Sequence, residues 1–439
     1  MELRTGPARL RSALSGERVR GWFLEARRFL SLQLVIMAVN LAVGLLVLRF
    51  LDKADYALYT IGFATLFIFT DISAAGVGPA VQSLAGARWR DRGALGALVR
   101  TAISFRKTVA LALGLPILAY GFWQYNLIGA GVAESVALLA VFGVAGVAAL
   151  EVQIFKTPLK YHHRVADVQG AEMWAAIVKL AGVVAFGFVA PDAVVFGAIS
   201  TGAFVVEWAL TRRHTREVAD LTAPTDPAVR ARIVELFKPS FPSVTYWAFQ
   251  SQITILLCSL FGTIENVAEI GALGKLALMF QLLNVFVGSY LHPAISKASR
   301  PGRILRMSAA IIAIYMAACL VVVGIAAAYP EAFLLILGER YANLDSVLVL
   351  AVAVSMLSLL EGQIMSLCQV RGWVRLVGWY VVVAVATQAT LLLTMELTGL
   401  RDILVFNGVV VLATLTFVSA IFAYEFSSYR TKVHLHALE

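Results

Sequence analysis

Residues Leu48 to Ser83 read LRFLDKADYALYTIGFATLFIFTDISAAGVGPAVQS, and the fold turns on how that run divides. Arg49 closes one apolar stretch, Asp52, Lys53 and Asp55 form a polar turn, and Tyr56 opens a second stretch with Asp71 deep inside it. An ionisable group in hydrocarbon costs a few kcal/mol at least, so Asp71 is expected to face a packed or watery interior. Gly76, Gly78 and Pro79 then loosen the helix near its end, which is tolerated where neighbouring helices or water re-satisfy the freed backbone groups. The segment reads as a membrane helix lining a cavity.

Composition extends that reading to the whole chain. Its 439 residues are 60% hydrophobic and 14% charged, with a mean hydropathy of +0.82; a soluble domain does not look like this. Apolar runs long enough to cross about 30 Å of hydrocarbon as helices centre near Ala38, Phe67, Leu113, Val144, Val183, Phe204, Ile255, Phe280, Ala318, Val354, Ala386 and Leu415. The expected fold class is an all-α polytopic membrane protein of about 12 transmembrane helices.

The net charge of +9 is not a nucleic-acid footprint, because 28 of the 36 Lys and Arg residues lie in alternate links on one side. Arg49, Lys53, Arg340 and Arg401 lie on the other. The positive-inside rule therefore puts both termini in the cytoplasm, facing anionic lipid. Cys258, Cys319 and Cys368 all fall within apolar runs and supply no disulfide framework. His162 and His163 lack a third ligand nearby, so no metal is expected. Gly271, Gly274 and Lys275 do not make a phosphate-binding loop, since Leu276 stands where Ser or Thr is needed and no strand precedes them.

The chain divides into an interfacial N-terminal helix (1–28), a six-helix bundle (29–210), a cytoplasmic hinge loop (211–238), a second six-helix bundle (239–424) and a cytoplasmic tail (425–439). In the hinge, Asp226-Pro227 reads as an N-cap followed by Pro at the first helical position. A shift of 214 residues lays Arg18 on Arg232, Phe23 on Phe237, Ala54 on Ala268 and Pro79 on Pro293. That register suggests a parallel repeat of the kind transporters use.

Several motifs together resemble the polysaccharide biosynthesis (Wzx-type) flippases for lipid-linked oligosaccharides, in the multidrug/oligosaccharidyl-lipid/polysaccharide exporter superfamily. They are the polar turn into Tyr56-Ala57-Leu58-Tyr59, then Asp71 and Gly76-x-Gly78. Leu337-Gly338-Glu339-Arg340-Tyr341 and the turn from Gln369 to Arg375 add to the resemblance. Ala57 stands where the family has Gly, and Ala75-Gly76 where Leu-Gly is usual. The resemblance implies a MATE-like fold in the bacterial cytoplasmic membrane that moves an isoprenoid-diphosphate-linked oligosaccharide to the outer leaflet for cell-surface or exported polysaccharide, such as O-antigen. Glycan polymerase and glycosyltransferases are the partners it implies. The alternatives are a cation-coupled multidrug exporter of the related extrusion family and a membrane scaffold that transports nothing.

A diphosphate and sugar headgroup cannot cross hydrocarbon bare, so a cavity must offer cations and hydrogen-bond partners. By position, the cationic candidates are Arg49, Lys179 and Lys275, and the sugar-contact candidates are Gln33, Asn40, Gln250 and Asn284. Lys179 has a second reading, a pair with a carboxylate on a neighbouring helix. Asp71 and Glu361 are candidates for coupling to H+ or Na+, because desolvation favours a protonated carboxylate. No Ser/His/Asp, Cys/His or metal constellation appears, so neither catalysis nor a cofactor is expected.

Overall fold

Asp52 shapes the polar turn: its carboxylate accepts from the Asp55 amide at 2.8 Å and its carbonyl from the Tyr56 amide at 3.0 Å, starting a helix. The computed structural model describes residues 16–74, 77–287, 300–371 and 378–435, with single positions at 291, 295, 373 and 376. Among these the chain is helical and carries no strand. In order the helices are α1 (Gly16–Phe50), α2 (Lys53–Ala74), α3 (Val77–Arg88), α4 (Arg92–Leu127), α5 (Val132–Tyr161), α6 (Val165–Gly187) and α7 (Ala193–Val218). There follow α8 (Pro227–Gln250), α9 (Ile253–Phe261), α10 (Ile264–Phe286), α11 (Pro301–Ala328), α12 (Pro330–Leu337), α13 (Asp345–Val370), α14 (Gly378–Thr394) and α15 (Leu400–Leu435).

Nine described helices are long and apolar enough to span a membrane, and the bent pair Val244–Gln250 and Ile253–Phe261, at 52°, makes ten. With α10 and the shorter apolar α14 this gives the expected twelve, and each apolar centre read from the sequence lies within a helix. Asp91, Asp192 and Asp226 cap α4, α7 and α8 by accepting from the second and third amides beyond them, which satisfies donors the helix cannot.

Two expectations about the helices need correction. No turn separates an interfacial segment from the first membrane helix in the described residues, since the backbone of α1 is one helix from Gly16. The repeat register is also tighter than 214: α2 and α10 begin at 53 and 264, an offset of 211. Pro79 and Pro293, which the longer shift aligned, lie outside the described side chains.

The buried apolar residues are distributed unevenly along the bundle. At the end that carries the Leu51–Lys53 turn, one cluster joins Val47, Leu51 and Tyr56 to Leu257, Val267, Tyr341 and Leu348. At the Arg92 end the buried residues fall into several separate clusters. One holds Val81, Leu98, Phe105 and Ile233, and another Ile295, Leu360, Ile364 and Val418.

Polar bonds reinforce the Lys53 end. Arg49 donates to the Leu335 carbonyl at 3.0 Å, Tyr56 to the Gly271 carbonyl at 3.2 Å, and Arg340 to the Leu51 carbonyl. The early and late helices are therefore held together at this end.

Candidate functional site

Glu172 and Lys179 are seven residues apart on α6, close to two helical turns, so both look the same way. They look into a cavity of about 530 Å³ walled by α1, α5, α6 and α7. From α1 come Gln33, Met37 and Asn40, from α5 Lys156, from α6 Ala175 and Ala176, and from α7 Ser200, Ala203 and Glu207. The alanines explain the space, because small side chains on α6 and α7 leave room that Leu or Phe would fill.

Polar groups in this wall are unequally partnered. Lys156 binds Glu172 and Glu207, each at 2.7 Å. Gln33 accepts from Gln169 at 3.3 Å, and the Asn40 amide donates to the Ile36 carbonyl at 3.0 Å. Lys179 has no carboxylate partner among the described residues; its ammonium lies 5.0 Å from the centre of the Phe63 ring. A cation over an aromatic face gains about 0.5–2 kcal/mol, less than a counter-ion would supply in a dry setting.

Lys275 reaches the same region from α10. Its chain packs on Gly44, where an added Cβ would sit 3.3 Å from Cδ and 3.8 Å from Nζ. Its ammonium interacts electrostatically with Lys179 and with Tyr59, and the Tyr59 and Ser200 hydroxyls are 3.0 Å apart. Two lysines, neither ion-paired among the described residues, thus converge beside two hydroxyls.

The other candidates lie elsewhere. Arg49 is a correction: its guanidinium is tied to the Leu335 carbonyl at the Lys53 end and does not line the cavity. The sequence missed this because the acceptor is 286 residues away. Gln250 accepts from Tyr246 at 3.3 Å and Gln388 at 2.5 Å, and Asn284 from Tyr315 at 2.5 Å and Gln363 at 3.0 Å. Both amides are engaged in networks of the later helices, away from the cavity wall.

The Asp71 side chain is exposed, as in a watery interior, with Arg106 its electrostatic neighbour. Arg106 itself is buried and donates to the carbonyls of Leu150 and Thr70 and to Gln153. Glu361 is buried and accepts from the Tyr380 hydroxyl at 2.5 Å. No ammonium or guanidinium pairs with it among the described residues.

This cavity lies among helices of the first part of the chain. The sequence did not single out Lys156 and Glu207 as cavity residues. Both stand at the ends of apolar runs and read as link residues, yet α5 and α7 continue well past them. No group of three or more His, Cys, Asp or Glu among the described residues is arranged to hold a metal ion.

No family model and no curated protein matches the sequence. Solved structures do match over nearly the whole chain. The inward-facing conformation of a multidrug resistance MATE family transporter of the MOP superfamily aligns with a TM-score of 0.71 at 13% identity, covering 90% of this chain and 96% of that one. An outward-facing conformation of such a transporter gives 0.59 at 13% identity, covering 92% and 94%. A third is a MOP superfamily transporter from Pyrococcus furiosus Vc1 (DSM3638), described by a reverse polarity of binding pocket that suggests a different function. It aligns at 0.55 with 13% identity, covering 92% and 94%. At these identities the likeness establishes the fold: a MATE-like arrangement of membrane helices.

Proposed function

We propose that this protein is a membrane transporter of the flippase type, carrying an isoprenoid-diphosphate-linked oligosaccharide across the cytoplasmic membrane by alternating access. The observation that carries this reading is Lys179, a cavity ammonium with no carboxylate partner among the described residues and Lys275 in electrostatic reach. Two like charges held together in an apolar surrounding are costly. A diphosphate relieves that cost, and the amides of Gln33 and Asn40 are placed to meet the sugars.

In this reading both termini are cytoplasmic, the Lys53 end faces outward, and the bonds there close the outer side while the substrate enters from the inner leaflet. The two six-helix groups then rock about the link before α8. Asp71 and Glu361 remain the candidates for H+ or Na+ coupling, and each charge moved down the membrane potential supplies about 2.3 kcal/mol per 100 mV.

The second reading is a cation-coupled multidrug exporter, favoured by Glu361, a buried carboxylate that accepts from Tyr380 and has no cationic partner among the described residues. The lysine pair weighs against an organic cation as cargo, and a scaffold without transport has no need of a polar chamber.

The test is deletion of the gene, followed by the leaflet distribution of lipid-linked glycan. Accumulation on the inner leaflet, rescued by the wild-type gene and not by Lys179→Ala/Lys275→Ala at normal expression, supports the flippase. Rescue by the double variant ends it.

A further inference from the structure

The cavity is lined by two lysines and two glutamates, and they do not divide into two pairs. Lys156 takes both carboxylates, at 2.7 Å each, so among the described residues one end of the chamber holds two negative charges against one positive. Lys179 takes neither. Along α6, Glu172 and Lys179 are seven residues apart, about 10 Å at 1.5 Å per residue. Ala175 and Ala176 lie between them on the same wall. The chamber is thus electrically split, with surplus negative charge at the Glu172/Glu207 end and surplus positive charge at the Lys179 end. A partly buried carboxylate with only a share in one ammonium is under-compensated until a further donor or cation completes it.

Resting on the flippase reading, we propose that the cavity selects a glycan whose first or second sugar carries a protonated amine. The diphosphate sits at Lys179 and Lys275, and the amine, about 10 Å away, completes the shell of Glu172 and Glu207. Gln33 and Asn40, on the facing wall, take the intervening hydroxyls. A substrate with both charges meets complementary partners at each end, and one lacking the amine leaves the surplus carboxylate unanswered. The cargo is thereby narrowed from any lipid-linked oligosaccharide to an amino-sugar class.

The full-length chain in nanodiscs is titrated with three farnesyl-diphosphate-linked disaccharides: one of two glucosamines, one of two N-acetylglucosamines, and one of two glucoses. The wild type is expected to bind the glucosamine probe about ten-fold more tightly than either of the others, in line with a charged hydrogen bond. Glu207→Gln is expected to bind all three alike. Lys179→Ala is expected to weaken all three by the same factor.

Equal binding of the three probes by the wild type overturns the amine site, even where Lys179→Ala still weakens them all. Undiminished binding by Lys179→Ala overturns the flippase reading instead. The N-acetylated probe removes the positive charge from the ligand, so the amine site stays testable in the wild type if the Glu207 variant does not fold.

Discussion

Lys53, in the first turn of α2, holds Glu269 of α10 at 3.1 Å, and Glu269 also accepts from Asn343 at 2.9 Å and Asn266 at 3.2 Å. The carboxylate is nearly sealed, its side chain 6% exposed, so the pair joins early and late helices through a group that water cannot readily serve. Removing one partner of such a pair strands the other, a loss of about 3–5 kcal/mol for a fully buried pair and less here, where Lys53 is 26% exposed. Lys53→Met should therefore lower the melting temperature in detergent more than Glu269→Gln, which removes the charge and keeps an acceptor for the two asparagines. Equal melting temperatures for the two variants would show that the bond does not hold this end.

Gly96 on α4 lies against the link between α7 and α8. A Cβ there would sit 1.9 Å from the Asp220 carbonyl oxygen, which is backbone and cannot swing away, and the Asp220 amide is bonded to the Arg92 carbonyl at 2.9 Å. Gly114, on the same helix, would meet nothing within 4 Å. Gly96→Ala should destabilise by about 1–3 kcal/mol or more, and Gly114→Ala should be neutral or stabilise by up to about 1 kcal/mol. Thermal unfolding of the two variants side by side makes the comparison, and similar values would contradict the close approach.

The Asp220 carboxylate accepts from the Thr222 hydroxyl at 2.6 Å and the Thr222 amide at 2.9 Å. Those bonds, with Arg92 nearby, hold its carboxyl below the usual carboxylate range. The folded value lies below the unfolded one, so the stabilisation is present above the unfolded value of about 3.9 and fades as pH falls through the folded value. Hydrogen exchange in the 219–226 link, corrected for intrinsic rate, should speed up between pH 5 and pH 2 in the wild type. Asp220→Asn should exchange faster than the wild type at pH 5 and show no such rise.

The helices were legible because a membrane sets their length: every apolar centre in the sequence falls in a helix. Lys179 was legible for a related reason, since an ammonium in the middle of an apolar run demands an explanation. Lys156 was not, because it follows Glu151 near the end of its apolar run and reads as part of a basic link with Lys160, His162 and His163. The helix runs on to Tyr161 and turns Lys156 toward two glutamates on other helices. Arg49 and Gln250 misled for the opposite reason. Each is satisfied by a partner far away in sequence, Leu335 and Gln388, and only packing reveals such a pairing.

Gly44 on α1 bears directly on the lysine pair. Its missing side chain leaves the space that the Lys275 stem occupies, with a built Cβ at 3.3 Å from Cδ and 3.5 Å from Cε. Alanine asks a flexible chain to give by a few tenths of an ångström, whereas leucine takes the space outright. Gly44→Leu should push the ammonium away from Lys179 and weaken binding of farnesyl diphosphate about ten-fold, the scale of one lost charged hydrogen bond, while Gly44→Ala changes it little. Because Gly44→Leu and Lys275→Met remove the same contact, the double variant should bind no worse than either single one, the non-additivity expected of sites that act through one interaction. Titration of the four proteins and the wild type decides it: full multiplication of the two losses, or wild-type affinity in Gly44→Leu, would mean that Gly44 does not place Lys275 in the site.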